Sequence, residues 1–129
     1  MKLGFITAIC EGMTFEEVID FAAENGLECL EVACWPQEKA QRRYAGVSHI
    51  DVAKLDEKKA EYIKNLCKEK GVAISSLAYY PNTMDPDIEK RRGYIEHLYK
   101  LIDASAMLDV NMITTFVGRD PAKSVSENL

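Results

Sequence analysis

Three stretches of this sequence leave a helical pattern in the same way. Glu24-Asn25-Gly26-Leu27, Glu69-Lys70-Gly71-Val72 and Met107-Leu108-Asp109-Val110 each close an amphipathic run and pass at once into a short apolar segment. A chain that repeats an α-to-β exit lays its strands side by side in one direction, because each helix carries it back to the starting edge of the sheet. Such crossovers are right-handed. The repeat predicts an α/β fold with a parallel sheet of four strands and three complete helices, followed by the first turn of a fourth helix.

The strands are expected at residues 3–6, 27–33, 72–78 and 111–116, each a short apolar run of the kind buried in parallel sheets. Thr14-Phe15-Glu16-Glu17 is a capping box, and Phe15, Val18, Ile19, Ala22 and Ala23 recur behind it at helical spacing. The second helix is outlined by Leu55, Ile63, Leu66 and Cys67, with a start near Asp51 or Asp56 and a stop at Lys70-Gly71. Asp85-Pro86 is read as the opening of the third helix, an acceptor followed by proline at the first helical position. Its buried stripe is expected at Ile88, Ile95, Leu98, Leu101, Ile102 and Leu108. Ser124-Val125-Ser126-Glu127 is a second capping box. Residues 35–52 show no period and read as a long loop, a length often tied to function.

Length decides how the sheet is expected to finish. The chain has 129 residues, 47% of them apolar, enough for one domain with a buried core. An open doubly wound sheet would need another strand after Phe116. A closed (βα)8 barrel needs about 250 residues. The expected fold is therefore a partial TIM barrel, with residues 1–129 as its N-terminal half. Strands one and four then have unpaired outer edges, which favours self-association.

Net charge is −5, from 16 basic and 21 acidic residues, which argues against nucleic acid as a partner. No apolar run approaches the ~20 residues that span a bilayer, so no membrane is expected. No signal-peptide pattern is found, and a cytoplasmic location is expected. Cys10, Cys29, Cys34 and Cys67 lack C-x-x-C spacing and have only two His beside them, so a zinc site is not expected and the thiols are read as reduced. No G-x-G-x-x-G, Walker loop or Ser–His–Asp spacing appears.

Barrel sites lie at the C-terminal ends of strands. That rule points at Thr7 and Ala8, Cys34 to Pro36, Tyr79 to Asn82 and Thr115 to Arg119. Trp35 could stack on a ligand, or plug the space beneath its loop. Tyr80 and Asn82 bring a hydroxyl and an amide to one strand end, as polyol recognition needs, although Pro81-Asn82 also suits a turn. His49, in the long loop, could move protons or serve as a surface hydrogen-bonding residue. His97 is read as structural. Glu31 is a charge within an apolar strand, which either lines the barrel mouth or pairs with a base such as Lys2. Arg42-Arg43 and Arg91-Arg92 could hold a phosphate, the latter pair reading better as a solvated helix turn.

Several segments, in this order and spacing, resemble one family. Leu77-Ala78-Tyr79-Tyr80-Pro81-Asn82, Met84-Asp85-Pro86-Asp87, Tyr94-Ile95-Glu96-His97-Leu98 and Thr115-Phe116-Val117-Gly118-Arg119-Asp120-Pro121 look like the sugar phosphate isomerase/epimerase family, the xylose-isomerase-like TIM barrels. Lys2-Leu3-Gly4-Phe5 and Leu27-Glu28-Cys29-Leu30-Glu31-Val32 fit the same pattern. The resemblance implies a divalent metal (Mn, Mg, Co or Zn) and proton transfer next to a carbonyl on a sugar or sugar phosphate. Family ligands come from the second half of the barrel, so no metal ligand and no catalytic residue is carried onto this chain. The chain alone is expected to be inactive and metal-free, with Trp35, His49, Tyr80, Asn82 and Thr115 shaping a substrate pocket. Two alternatives stand beside this. One is a non-catalytic flavodoxin-like or CheY-like open sheet, although Thr7-Ala8-Ile9-Cys10 lacks the acidic cluster of such receivers. The other is an endonuclease IV-like repair enzyme, against which Tyr79-Tyr80 stands where an early metal-binding His is expected.

Overall fold

A computed structural model describes residues 1–37 and 46–128. The chain alternates strand and helix. It runs β1 (Gly4–Ile6), a single 3₁₀ turn (Thr7–Ile9), α1 (Phe15–Glu24), β2 (Cys29–Ala33), α2 (Glu57–Lys70), β3 (Ala73–Ala78), α3 (Ile88–Met107), β4 (Ile113–Thr114) and α4 (Val125–Asn128). All strand pairs are parallel, and the sheet order is β1-β2-β3-β4. Sequential order is what a barrel wall requires. The open-sheet alternative places the first strand inside the sheet, and this topology excludes it.

The three repeated exits share one backbone device. Gly26 and Gly71 both sit at φ 69°, and Asp109 takes the same left-handed role at φ 56°. After each, an amide reaches back into the helix: Leu27 to Ala22, Val72 to Cys67 and Val110 to Ser105, each at 2.9–3.1 Å. This closure turns the chain back toward the sheet with little loop.

Both halves of the Thr14 capping box form. The Thr14 amide donates to Glu17 Oε2 at 2.7 Å, and the Glu17 amide donates to Thr14 Oγ1 at 3.2 Å. Asp56 caps α2 through the Lys59 amide. The third helix starts later than its sequence suggests. Asp87 is the cap, taking the Glu89 and Lys90 amides, while Asp85 is used two residues earlier to accept the Asp87 amide. Its buried stripe is also rotated. His97, Leu101, Ala104 and Leu108 face inward, whereas Ile88 and Ile102 are 59% and 52% exposed.

One apolar core joins every long helix to one face of the sheet. Val18, Ile19 and Ala22 of α1, Ala60 and Ile63 of α2, and Leu101 and Ala104 of α3 meet Leu30, Val32 and Leu77 of the strands. A separate small cluster of Ala8, Ala33 and Val47, with Ile6 and Trp35 against it, lies elsewhere on the sheet. The four cysteines are unpaired thiols, and burial pushes the Cys34 thiol far above its ordinary range and that of Cys67 up to about 11.

Two glycines make opposite predictions. A Cβ at Gly4 would collide with the Cys29 carbonyl across the β1–β2 pair, whereas one at Gly93, inside α3, meets nothing within 4 Å. Gly4→Ala should destabilise the fold by about 1–3 kcal/mol, the usual cost of overpacking. Gly93→Ala should stabilise it by about 0.5–1 kcal/mol through helix propensity. Urea unfolding of both variants measures the pair.

Candidate functional site

Strand alternation builds the site. Leu30 and Val32 are buried on the helix side, so Glu31 between them points to the opposite face. That face holds a hollow of about 460 Å³, lined by Gly4, Ile6, Cys29, Glu31, Ser75 and Tyr80, with Lys2 at the rim from which the strands begin. Glu31 is the one carboxylate among these residues.

The next two strands supply its partners. The Tyr80 phenol, two residues beyond β3, donates to Glu31 Oε1. The Thr114 hydroxyl, on β4, donates to the same oxygen at 3.0 Å. Tyr80 and Thr114 oxygens lie 3.2 Å apart. Burial raises the Tyr80 pKa above its ordinary 10.0, and hydrogen bonding to the Glu31 carboxylate adds to the rise. The phenol is therefore protonated throughout the neutral range. Two rings flank it: Trp35 edge-on at 5.5 Å and Phe116 tilted by 30° at 4.6 Å.

The sequence candidates divide. Trp35 and Tyr80 are brought together, and Trp35 also meets Tyr79 edge-on at 5.8 Å. Asn82 is engaged as a clamp: its amide donates to the Arg119 carbonyl and its oxygen accepts the Arg119 amide, both at 2.8 Å. Thr115 is exposed, with its hydroxyl near the Phe116 carbonyl, and stays outside the Glu31 cluster. The threonine that joins the cluster is its neighbour Thr114. Phe116 and Thr114 are the residues that sequence reasoning missed, and Glu31 lines the hollow without an ion pair to Lys2 among the described residues. His97 is buried, with Nε2 2.8 Å from the Cys34 carbonyl and its ring against Tyr79. Arg92 pairs with Glu89 along its own helix. Arg42 and Arg43 lie outside the described residues.

His49 occupies a different hollow, beside Met13, Thr14, Glu16, Ser48, Lys59 and Tyr62. Its Nε2 lies 3.3 Å from the Cys10 carbonyl, an arrangement that suits the tautomer with hydrogen on Nε2, while Nδ1 is buried without a hydrogen-bond partner. Burial outweighs the nearby Cys10 and Met13 carbonyls and holds the imidazole below its ordinary pKa of 6.5. A depressed folded pKa gives stability that is present above the unfolded value and lost as pH falls through the folded value. Acidification from pH 7.5 to below 6.5 should therefore destabilise the wild-type chain more than His49→Gln, in paired urea melts.

Among the described residues no three His, Cys, Asp or Glu side chains converge as metal ligands. A lone carboxylate carrying two hydroxyl donors does not fit the donor sets of Mn, Mg, Co or Zn. No helix among the described residues is long and apolar enough to cross a membrane.

Known proteins complete the picture. No curated protein shows significant similarity. Among solved structures, the probable 3-DHS dehydratase AsbF of Bacillus anthracis superposes with a TM-score of 0.68 at 21% identity, over 99% of this chain and 43% of its own. D-psicose 3-epimerase of Clostridium cellulolyticum H10, solved with D-tagatose, gives 0.63 at 18% identity, over 97% and 42%. A putative xylose isomerase of Rhodospirillum rubrum gives 0.63 at 17% identity, over 98% and 42%. The chain thus spans less than half the length of the barrels it matches, and these likenesses establish a partial TIM barrel fold. The family model for the xylose isomerase-like TIM barrel matches residues 19–129, and the chain belongs to that family.

Proposed function

We propose that residues 1–129 are the N-terminal, substrate-binding half of a barrel that acts on a sugar or sugar phosphate by proton transfer next to a carbonyl. The observation that carries this reading is the Tyr80 phenol, held by Glu31 and Thr114 and walled by Trp35 and Phe116, at the strand ends where barrels bind substrates. Hydroxyl-rich ligands suit such a mixture of aromatic faces and a few convergent polar atoms. The epimerase and isomerase names among the structural neighbours support the same class.

The role of this chain is to bind and orient. Trp35 and Phe116 flank the phenol ring, and Glu31 fixes the direction of its hydroxyl. Ligands for a divalent ion, and the groups that move the substrate proton, would come from outside the described residues. The chain by itself should turn over no sugar. Its open edges give it a second property. Leu3 and Phe21 stand exposed beside β1, and Met112 and Phe116 beside β4. Apolar residues along unpaired parallel edges favour self-association. A cytoplasmic setting agrees with the four unpaired thiols.

The single tryptophan makes a direct test. Trp35 is the chain's only Trp and adjoins Tyr80, so its fluorescence should change saturably as D-fructose is added. Tyr80→Phe should weaken the response about fivefold, the loss of one ordinary hydrogen bond. A Trp35 signal indifferent to D-fructose and to D-psicose would remove the basis for a sugar substrate.

A further inference from the structure

The hydrogen bonds of the inner-face cluster leave it with a defined chemical character. Tyr80 and Thr114 have one hydroxyl proton each, and both are directed at Glu31 Oε1. The Leu77 carbonyl, 3.5 Å from the Thr114 hydroxyl, is a longer alternative that also accepts. Of these three residues, Glu31 and Tyr80 line the hollow, and Thr114 stands behind them on β4. Among the described residues, Oε2 accepts no hydrogen bond and no Lys or Arg pairs with Glu31. Lys2 lines the same hollow, but it precedes β1 and stands at the opposite rim.

With both hydroxyl protons engaged by the carboxylate, the strand-end part of the hollow presents acceptors and a negative charge. We infer that Glu31, Tyr80 and Thr114 form an acceptor-only subsite that takes the neutral, hydroxyl-bearing part of a substrate and turns away a phosphate or carboxylate. This rests on the sugar reading above and refines it: a phosphate on the substrate, where there is one, is bound elsewhere. An alcohol bound here donates to Oε2 or to the Tyr80 oxygen, beside the ring that Trp35 and Phe116 flank. A phosphate in the same place meets the Glu31 charge and competes with it for the two hydroxyl protons that Glu31 already holds. The raised Tyr80 pKa keeps the phenol neutral, so Glu31 is the source of the exclusion.

Small probes separate the terms, since each fits the subsite alone. Erythritol should shift the backbone amide resonances of Tyr80 and Thr114 in the intact 129-residue chain, and inorganic phosphate at equal concentration should leave them in place. Glu31→Gln replaces the charge by an amide that can donate. It should weaken the erythritol response about fivefold and let phosphate shift the same resonances. Thr114→Val keeps the charge and removes one acceptor, so it should weaken erythritol and still exclude phosphate; it also serves where Glu31→Gln does not fold, which the amide dispersion reports. Phosphate acting on wild-type Tyr80 and Thr114 as strongly as erythritol overturns the inference, as does Glu31→Gln or Thr114→Val behaving like wild type. If either happens while Trp35 still responds to D-fructose, the sugar reading survives without the subsite. Silence toward both D-fructose and erythritol defeats both.

Discussion

All three long helices lie against one face of the sheet, and that one-sidedness governs the other face. No helix covers that face among the described residues, and its residues are small or find partners across the strands. Gly4 and Ala33 meet the first condition, the former because the β1–β2 approach leaves no room for a Cβ. Glu31 meets the second. A carboxylate between two buried aliphatic neighbours is costly unless donors reach it, and here the donors come from the next strand and the one after. That is possible because β2, β3 and β4 are neighbours in the sheet.

The strand ends show the same economy. β1 gives way to a 3₁₀ turn after Ile6, and the Thr7 side chain continues the ladder by accepting the Ala33 amide at 2.9 Å. The chain after β2 returns along it: Cys34 and Ser48 form an antiparallel bridge, and the His49 amide donates to the Ala33 carbonyl. Val47 thereby joins Ala8 and Ala33 in the small cluster over the ends of β1 and β2. With that side packed, the accessible polar atoms gather toward β3 and β4, where Tyr80 and Thr114 stand.

Local signals were legible wherever local chemistry decides. The Thr14 capping box, the exits at Gly26 and Gly71 and the cap at Asp56 depend on side chains within four residues, and each forms as read. The α3 opening offered two aspartates around one proline, and only the count of amides each accepts separates them: two for Asp87, one for Asp85. The α3 stripe was misread because Ile88 and Ile102 are apolar without being covered, while the small Ala104 and the polar His97 are buried. Thr114 and Thr115 stand on opposite faces of β4, and at two residues that strand is too short for its pattern to tell which of them meets Glu31.

Glu31 shows where sequence reading stops in physical terms. The charge is conspicuous in an apolar strand, yet its partners stand 49 and 83 residues away. No spacing rule connects such positions; the fold alone does. The dependence also runs in reverse. β4 pairs with β3 through only two residues, Ile113 and Thr114, and its ladder bonds are few. The Thr114 hydroxyl reaching past β3 to β2 adds a tie that spans three strands, so the half-buried charge helps to fix the strand that satisfies it. Docking of β4 and completion of the acceptor cluster are in this sense one event, and a site built this way exists only once the wall beneath it is in place.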